Sequence, residues 1–286
     1  MSIQNGPYAP VLAIMRSAAL EAGSMLLRLR HNPHAANAYW QKDDKSWVSE
    51  ADHAAATLID AALHQAFPDY AILDEETYLH HRAAVDWRTT EHCFMVDPLD
   101  STSSYLRGHT HYGVIIALCE HGRPVAGITY KPELGELYAA AEGQGAWRTF
   151  AGAEEADPKE GGGVWQKLSV SSEDKLSLVT SHGRVTPGLE DLLHRLGQPP
   201  SQRMSGSLKV NEVARGEYTV FLSPEENPMS LWDMAAPSII LTEAGGRLTD
   251  LRGSDLDWRQ PEPVLRKGLL ATNGKVHDTV LSRLSR

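Results

Sequence analysis

Asp97-Pro98-Leu99-Asp100 ends an apolar run, Cys93-Phe94-Met95-Val96, with two carboxylates three residues apart, and Ser101, Thr102 and Ser103 follow. More acids stand where other elements start or stop: Asp52 at a helix start, Glu75-Glu76 after a short strand, and Asp233 at another helix start. Carboxylates crowded together repel unless a cation lies between them. Hard divalent ions want oxygen ligands, and Mg²⁺ typically takes one or two carboxylates and keeps several waters. Two such ions about 4 Å apart are the usual device for hydrolysing a phosphate ester. Pro98 fixes its own φ and has no N–H, so a tight turn would let Asp97, Asp100 and the Leu99 carbonyl face one point. Residues 101–106 would begin a short helix whose free N–H groups receive an anion, with small side chains that let phosphate approach. Each acid alone has a plainer reading as a turn, a solvated loop pair or a helix cap. Their occurrence together, on separate elements, is what points to a site.

The elements that must position these acids are legible as patterns. Val11, Ile14, Met15, Ala18, Ala22, Met25, Leu26 and Leu29 recur at helical spacing over residues 8–30, with Pro33 closing the pattern. Residues 51–66 form a second, Ala-rich helix, and residues 70–73 a strand. From 92 to 148 apolar runs separated by short turns predict an antiparallel meander. Beyond it, strands and helices alternate down to a final helix over 275–285, which predicts a layered α/β fold. A Gly- and acid-rich segment over 151–165 reads as an exposed insertion and a soft boundary between halves 1–155 and 156–286 of one catalytic unit.

Composition narrows the partners. Of the 286 residues 42% are hydrophobic and 22% charged, the balance of a soluble globular chain. The net charge of −10 disfavours a nucleic-acid polymer but permits a small phosphorylated metabolite where a bound cation inverts the local field. Cys93 and Cys119 alone support neither a disulfide framework nor a cysteine zinc site. The thirteen histidines, His80-His81 and His109/His111 among them, are not spaced with a Cys pair, and the seven tryptophans are not interleaved with basic runs. No apolar run reaches the ~20 residues of a membrane span, and the start of the chain lacks a signal-peptide pattern, so a cytoplasmic location is the expectation.

Four blocks resemble the inositol monophosphatase superfamily of magnesium-dependent, lithium-sensitive phosphomonoesterases: "KDDKSWVSEAD" (residues 42–52), "ILDEET", "DPLDST" and "LWDMAAPSIILTEAGG". They occur in the family's order, and the likeness runs to "LLATNGKVHD" near the end. The resemblance implies an αβαβα sandwich. It implies one Mg²⁺ on Glu75, Asp97 and the Leu99 carbonyl, a second on Asp97, Asp100 and Asp233, and a weaker third near Glu75, with inhibition by Li⁺ and Ca²⁺. It implies a water oriented by Glu75 and Thr102 with Asp52 behind them, phosphate on the backbone N–H groups of Ser101 and Thr102, and substrate contacts from Asp100, Gly206, Ser207, Lys209 and Asp233. A homodimer is common in the family.

Three positions depart from the family pattern: Ser49 replaces Thr, Asp74 replaces the Gly before the Glu pair, and Ser101 replaces the signature Gly. If the backbone at 101 needs a positive φ, Ser there carries a steric cost. The superfamily's substrates include inositol phosphates, fructose 1,6-bisphosphate, histidinol phosphate and 3′(2′)-phosphoadenosine 5′-phosphate. "SGSLK" (205–209) and the Pro after the Ala pair in "WDMAAP" resemble bacterial bisphosphate nucleotidases. Lys209 could then neutralise a second phosphate, against the plainer reading of a solvated helix lysine. An inositol-1-monophosphatase or another sugar or histidinol phosphatase is the alternative within the superfamily. A catalytically inactive metal- or phosphate-binding module is the alternative from another class.

Overall fold

Residues 11, 12, 15, 18, 19, 22 and 26 of the first helix are all buried, which is the one-sided stripe that the apolar spacing predicts. The computed structural model describes residues 3–31, 39–41, 47–80, 86–151, 165–181 and 185–285. Residues 42–46 of the first resemblance block, Pro33, His81 and the bulk of the 151–165 segment lie outside the described residues.

The helices are α1 (Ala9–Arg30), α2 (Glu50–Ala66), α3 (Glu75–His80), α4 (Thr102–Leu106), α5 (Pro187–Arg195), α6 (Lys209–Ala214), α7 (Leu231–Glu243) and α8 (His277–Leu284). The first strands are β1 (Tyr39–Gln41), β2 (Trp47–Ser49), β3 (Ala71–Asp74), β4 (His92–Asp100), β5 (Gly113–Glu120), β6 (Arg123–Lys131), β7 (Glu136–Ala141), β8 (Gly145–Phe150) and β9 (Gln166–Lys167). The later strands are β10 (Leu178–Ser181), β11 (Ser201–Met204), β12 (Val220–Ser223), β13 (Met229–Ser230), β14 (Arg247–Thr249), β15 (Val264–Leu265) and β16 (Leu269–Thr272).

Strands β3 to β9 form a seven-stranded sheet in chain order, antiparallel except for the parallel β3–β4 pair. A second sheet has the order β11-β10-β12-β16-β14. Side chains sort into three cores. Phe94, Val96 and Ile116 point to α1 and α2, while Met95, Ile115 and Ala117 point to α7 and the second sheet. Leu178, Val220 and Leu222 cover the far side with Leu189 of α5 and Val280 of α8. The layers are therefore αβαβα, as the resemblance implied. Gly127 lets α7 approach the large sheet, because a Cβ there would stand 2.8 Å from the Ala236 Cα.

Against the expectation from apolar run length, α1 alone among the described helices qualifies as a membrane crossing by length and composition. Here it is a core helix with eight buried residues, packed on α2 and β6. Strand β11 was not anticipated, since Ser201, Gln202 and Arg203 are exposed and carry no apolar alternation. Both cysteines are buried free thiols facing each other across β4 and β5.

Two buried polar contacts tie the layers. Lys131 Nζ of β6 meets Glu212 Oε1 of α6 at 2.7 Å, with both side chains almost wholly enclosed. His277 is fully buried between Thr249 Oγ1 (3.1 Å from Nε2) and Thr272 Oγ1 (2.9 Å from Nδ1). Burial, with a smaller push from Arg247, moves its pKa down from 6.5 to about 4. The unfolded chain therefore takes up the proton first on acidification. The His277 contribution is complete above pH 6.5 and is lost as pH falls toward 4. We expect a loss of roughly 2–3 kcal/mol from this group across that window. Urea unfolding at pH 7.5 and pH 5 checks it: His277→Gln should flatten the pH dependence relative to wild type.

Candidate active site

Strict alternation would place Asp97 and Asp100 on opposite faces of β4. The pairing shows why they are not. Asp97 pairs with Ile115 and Asp100 with Gly113, so β4 carries one extra residue at Pro98-Leu99. Leu99 accordingly packs with Phe94 and Val96 on the α1/α2 side, and Asp100 returns to the face of Asp97, toward α7. The expected tight turn is thus a bulge inside a strand. Both carboxylates are buried, and the Leu99 N–H donates to Asp97 Oδ1 at 3.1 Å.

Asp100 is gripped from the second sheet's side. Ser207 donates its N–H to both carboxylate oxygens (3.0 and 2.9 Å) and its hydroxyl to Oδ1 at 2.6 Å. Gly206 has φ +79°, and a Cβ there would lie 2.3 Å from Asp100 Oδ2, so only glycine fits. Ser101 adopts φ 68° and ψ 51°, the left-handed region, so the condition posed by its departure from the family Gly is met. Ser101→Gly is expected to stabilise the protein by about 1 kcal/mol, the steric cost less the added chain entropy. Urea denaturation measures it.

Asp52 and Asp233 occupy the same kind of place. Each helix is capped by a serine, Ser49 for α2 and Ser230 for α7, and the aspartate is the third helical residue of a capping box. Asp52 Oδ2 accepts from the Ser49 N–H and hydroxyl, both at 2.7 Å, and Asp233 Oδ2 accepts from the Ser230 N–H at 2.7 Å. Asp52 Oδ1 accepts the Thr102 hydroxyl at 2.7 Å, a shorter contact than the 3.3 Å from that hydroxyl to the Leu99 carbonyl. Glu75 heads α3 directly after β3, a helix start where the sequence suggested a loop.

These acids share one field. Asp97 is raised well above the ordinary aspartate value, first by burial, then by Glu75, Asp100, Asp233 and Asp52. Asp233 is pushed up to about 8, mainly by burial, and lies within hydrogen-bonding reach of Asp97. Burial also raises Asp100, against the pull of Ser207 and Lys209. Two carboxylates in hydrogen-bonding contact must share a proton or a cation. Among the described residues no three acid, imidazole or thiol groups already form a closed metal cage. The all-oxygen donors and the unbalanced negative charge nevertheless suit a hard divalent ion, which would draw the carboxylates inward.

Beside the acids opens a cleft of about 340 Å³, within the range of small-ligand sites. Asp100, Ser101, Gly206, Ser207, Lys209 and Asp233 line it, while Asp52, Glu75, Asp97 and Thr102 are not among its lining residues. Lys209 is no solvated helix lysine: it is 3% exposed, its Nζ donates to the Gly206 carbonyl, and burial lowers its pKa to about 8 despite Asp100 and Asp233. Pro237 lies buried inside α7 and does not touch the cleft. His109 and several serines also line the cleft, as do Arg107, Ser181, Met204, Asn227 and Met229, which were not singled out from sequence. Asn227 and Met229 fall in the loop "SPEENPMS", which the sequence assigned to the pocket without placing its side chains.

Comparison with known proteins agrees with the four blocks. Residues 8–286 match the Inositol monophosphatase family. The chain is 33% identical over 234 residues to the 3′(2′),5′-bisphosphate nucleotidase CysQ of Salmonella typhimurium, covering 82% of this chain and 88% of that one. It is also 33% identical over 272 residues to the Nus factor SuhB of Xylella fastidiosa, covering 93% and 91%. The crystal structure of the extragenic suppressor protein SuhB from Bartonella henselae superposes with a TM-score of 0.78 at 27% identity, covering 97% and 99%. With the fold, the acids and the whole-length match in agreement, the chain belongs to the inositol monophosphatase family and is a metal-dependent phosphatase.

Proposed function

We propose that this phosphatase is a 3′(2′),5′-bisphosphate nucleotidase that removes the 3′(2′)-phosphate from phosphoadenosine phosphate to leave AMP. The observation that carries this reading is the composition of the cleft. Its floor is acidic, its rim holds Arg107, and the thioether side chains of Met204 and Met229 give an apolar wall against which a planar base packs. A polyol such as inositol has no use for that wall. The CysQ relative, a nucleotidase by name, supports the same substrate class.

In this reading Glu75, Asp97, the Leu99 carbonyl, Asp100 and Asp233 hold two to three Mg²⁺ ions, which supply a nucleophile at neutral pH and screen the phosphate charge. Asp52 fixes the direction of the Thr102 hydroxyl proton, leaving the Thr102 oxygen as an acceptor for the attacking water. Glu75 provides the second acceptor. Ser101 and Thr102, at the head of α4, offer N–H groups to phosphate, and the Ser207 clamp keeps Asp100 in place beneath it. The halves 1–155 and 156–286 act as one catalytic unit in the cytoplasm, as a homodimer, on a small phosphorylated metabolite. Strand β9 adds to the large sheet and α7 packs against it, so the halves share one core.

Phosphate release from a panel of esters with Mg²⁺, with and without Li⁺, tests the reading. Adenosine 3′,5′-bisphosphate should be the best substrate and Li⁺ should inhibit. A preference for inositol 1-phosphate, the second reading that the family description itself favours, would overturn the nucleotidase assignment.

A further inference from the structure

We infer that Arg107 receives the second, non-reacting phosphate of the substrate and thereby sets the preference for bisphosphates over monophosphates. The inference rests on the nucleotidase reading and assigns one part of it to a single side chain.

The sequence offered Lys209 for this task. The structure gives Lys209 other work: it is enclosed, donates to the Gly206 carbonyl, stands 5.7 Å from the Phe221 ring centroid and feels both Asp100 and Asp233. It balances the acids of the floor. The floor acids and the ions they would hold take up the reacting phosphate, so the second phosphate sits farther out, where a separate cation is needed. Arg107 is exposed at the cleft wall, and its guanidinium makes no hydrogen bond or ion pair with another described residue. Three other arginines are engaged: Arg30 with Glu133, Arg195 with Asp191, Arg215 with Glu212.

Position and charge both favour the assignment. Arg107 ends α4, its N–H bonded to the Ser103 carbonyl at 3.2 Å, so its Cα is fixed relative to Ser101 and Thr102. Five residues of helix advance about 7.5 Å, a separation on the scale of a pentose ring between two phosphates. A guanidinium matches phosphate as a two-pronged donor. The net charge of −10 repels a doubly phosphorylated substrate at long range, which makes a local cation at the entrance the more necessary.

The test uses the full chain with Mg²⁺ and two substrate pairs: adenosine 3′,5′-bisphosphate against adenosine 3′-monophosphate, and fructose 1,6-bisphosphate against fructose 1-phosphate. Arg107→Gln should raise KM for adenosine 3′,5′-bisphosphate at least 10-fold and change that for the 3′-monophosphate less than twofold. Arg107→Lys should restore part of the loss, and the selectivity should weaken with added salt. If wild type prefers the bisphosphate nucleotide and Arg107→Gln affects both members of the pair equally or neither, the inference is wrong and the nucleotidase reading stands. If wild type prefers the sugar bisphosphate and the variant loses only that preference, the nucleotide reading fails while the role of Arg107 holds. A wild type that favours inositol 1-phosphate, with a variant indifferent to every second phosphate, overturns both.

Discussion

Asp97→Asn is expected to lower kcat at least about 10³-fold while leaving the metal-free protein folded and as stable as wild type or more so. Asp97 lies at the centre of the acids, buried and raised by four other carboxylates, so its charge is a burden to the fold when no cation is present. The sign follows from the direction of the shifts. A carboxyl raised in the folded state contributes fully below the unfolded value, 3.8, and that contribution is lost as pH rises through the folded value, about 8 for Asp233. Wild type held in a chelator should therefore lose stability between pH 4 and 8, and Asp97→Asn should lose less. Mg²⁺ should raise the wild-type melting temperature and have a smaller effect on the variant. Melting curves at several pH values, with chelator or Mg²⁺, together with kcat, decide the matter. A variant that melts well below wild type yet turns over normally would show that Asp97 serves the fold and not the reaction.

Glu212→Gln carries the largest expected cost in stability, about 3 kcal/mol, or roughly 5–10 °C in melting temperature. Burial pushes the Glu212 carboxyl up, but Lys131 and Arg215 outweigh it and hold the group below its ordinary value. Removing the charge leaves the enclosed Lys131 ammonium with Glu136 at 3.5 Å as its remaining partner. Since Glu212 lies on α6, one turn after Lys209 and close to the Gly206-Ser207 clamp, KM should rise as stability falls. Replacing both partners, Lys131→Met with Glu212→Leu, should restore most of the stability, because the penalty comes from a stranded charge. Chemical denaturation of the two variants measures both figures, and a single-variant loss below about 1 kcal/mol would contradict the account.

The order of elements, the layered architecture and the acids that the structure brings into one field were legible in residue types and spacing, because apolar periodicity and a motif such as DPLDST are written in side chains. The bulge at Pro98-Leu99 was not, since a change of strand parity lies in backbone pairing with β5. The burial of Lys209 was not legible for a related reason: a lysine on a predicted helix has the plainer reading of a solvated side chain, yet every residue of α6 is buried between the two sheets. Arg107 gave no signal at all, being one arginine in a short polar connection whose meaning comes from the cleft beside it. The conformation of Ser101 could be posed from sequence only as a condition, and its φ of 68° answers it.

The capping boxes of α2 and α7 have a consequence for which substitutions the chain can accept. Oδ2 of Asp52 and Oδ2 of Asp233 each anchor the serine that starts a helix, while Asp52 Oδ1 fixes Thr102 and Asp233 also reaches Asp97. An asparagine at residue 52 has one acceptor oxygen for two sets of donors, the Ser49 cap and the Thr102 hydroxyl. At the start of α2, the beginning of a helix and the orientation of a hydroxyl in the candidate site thus depend on one carboxylate with both oxygens occupied, a demand that no neutral side chain of the same shape meets.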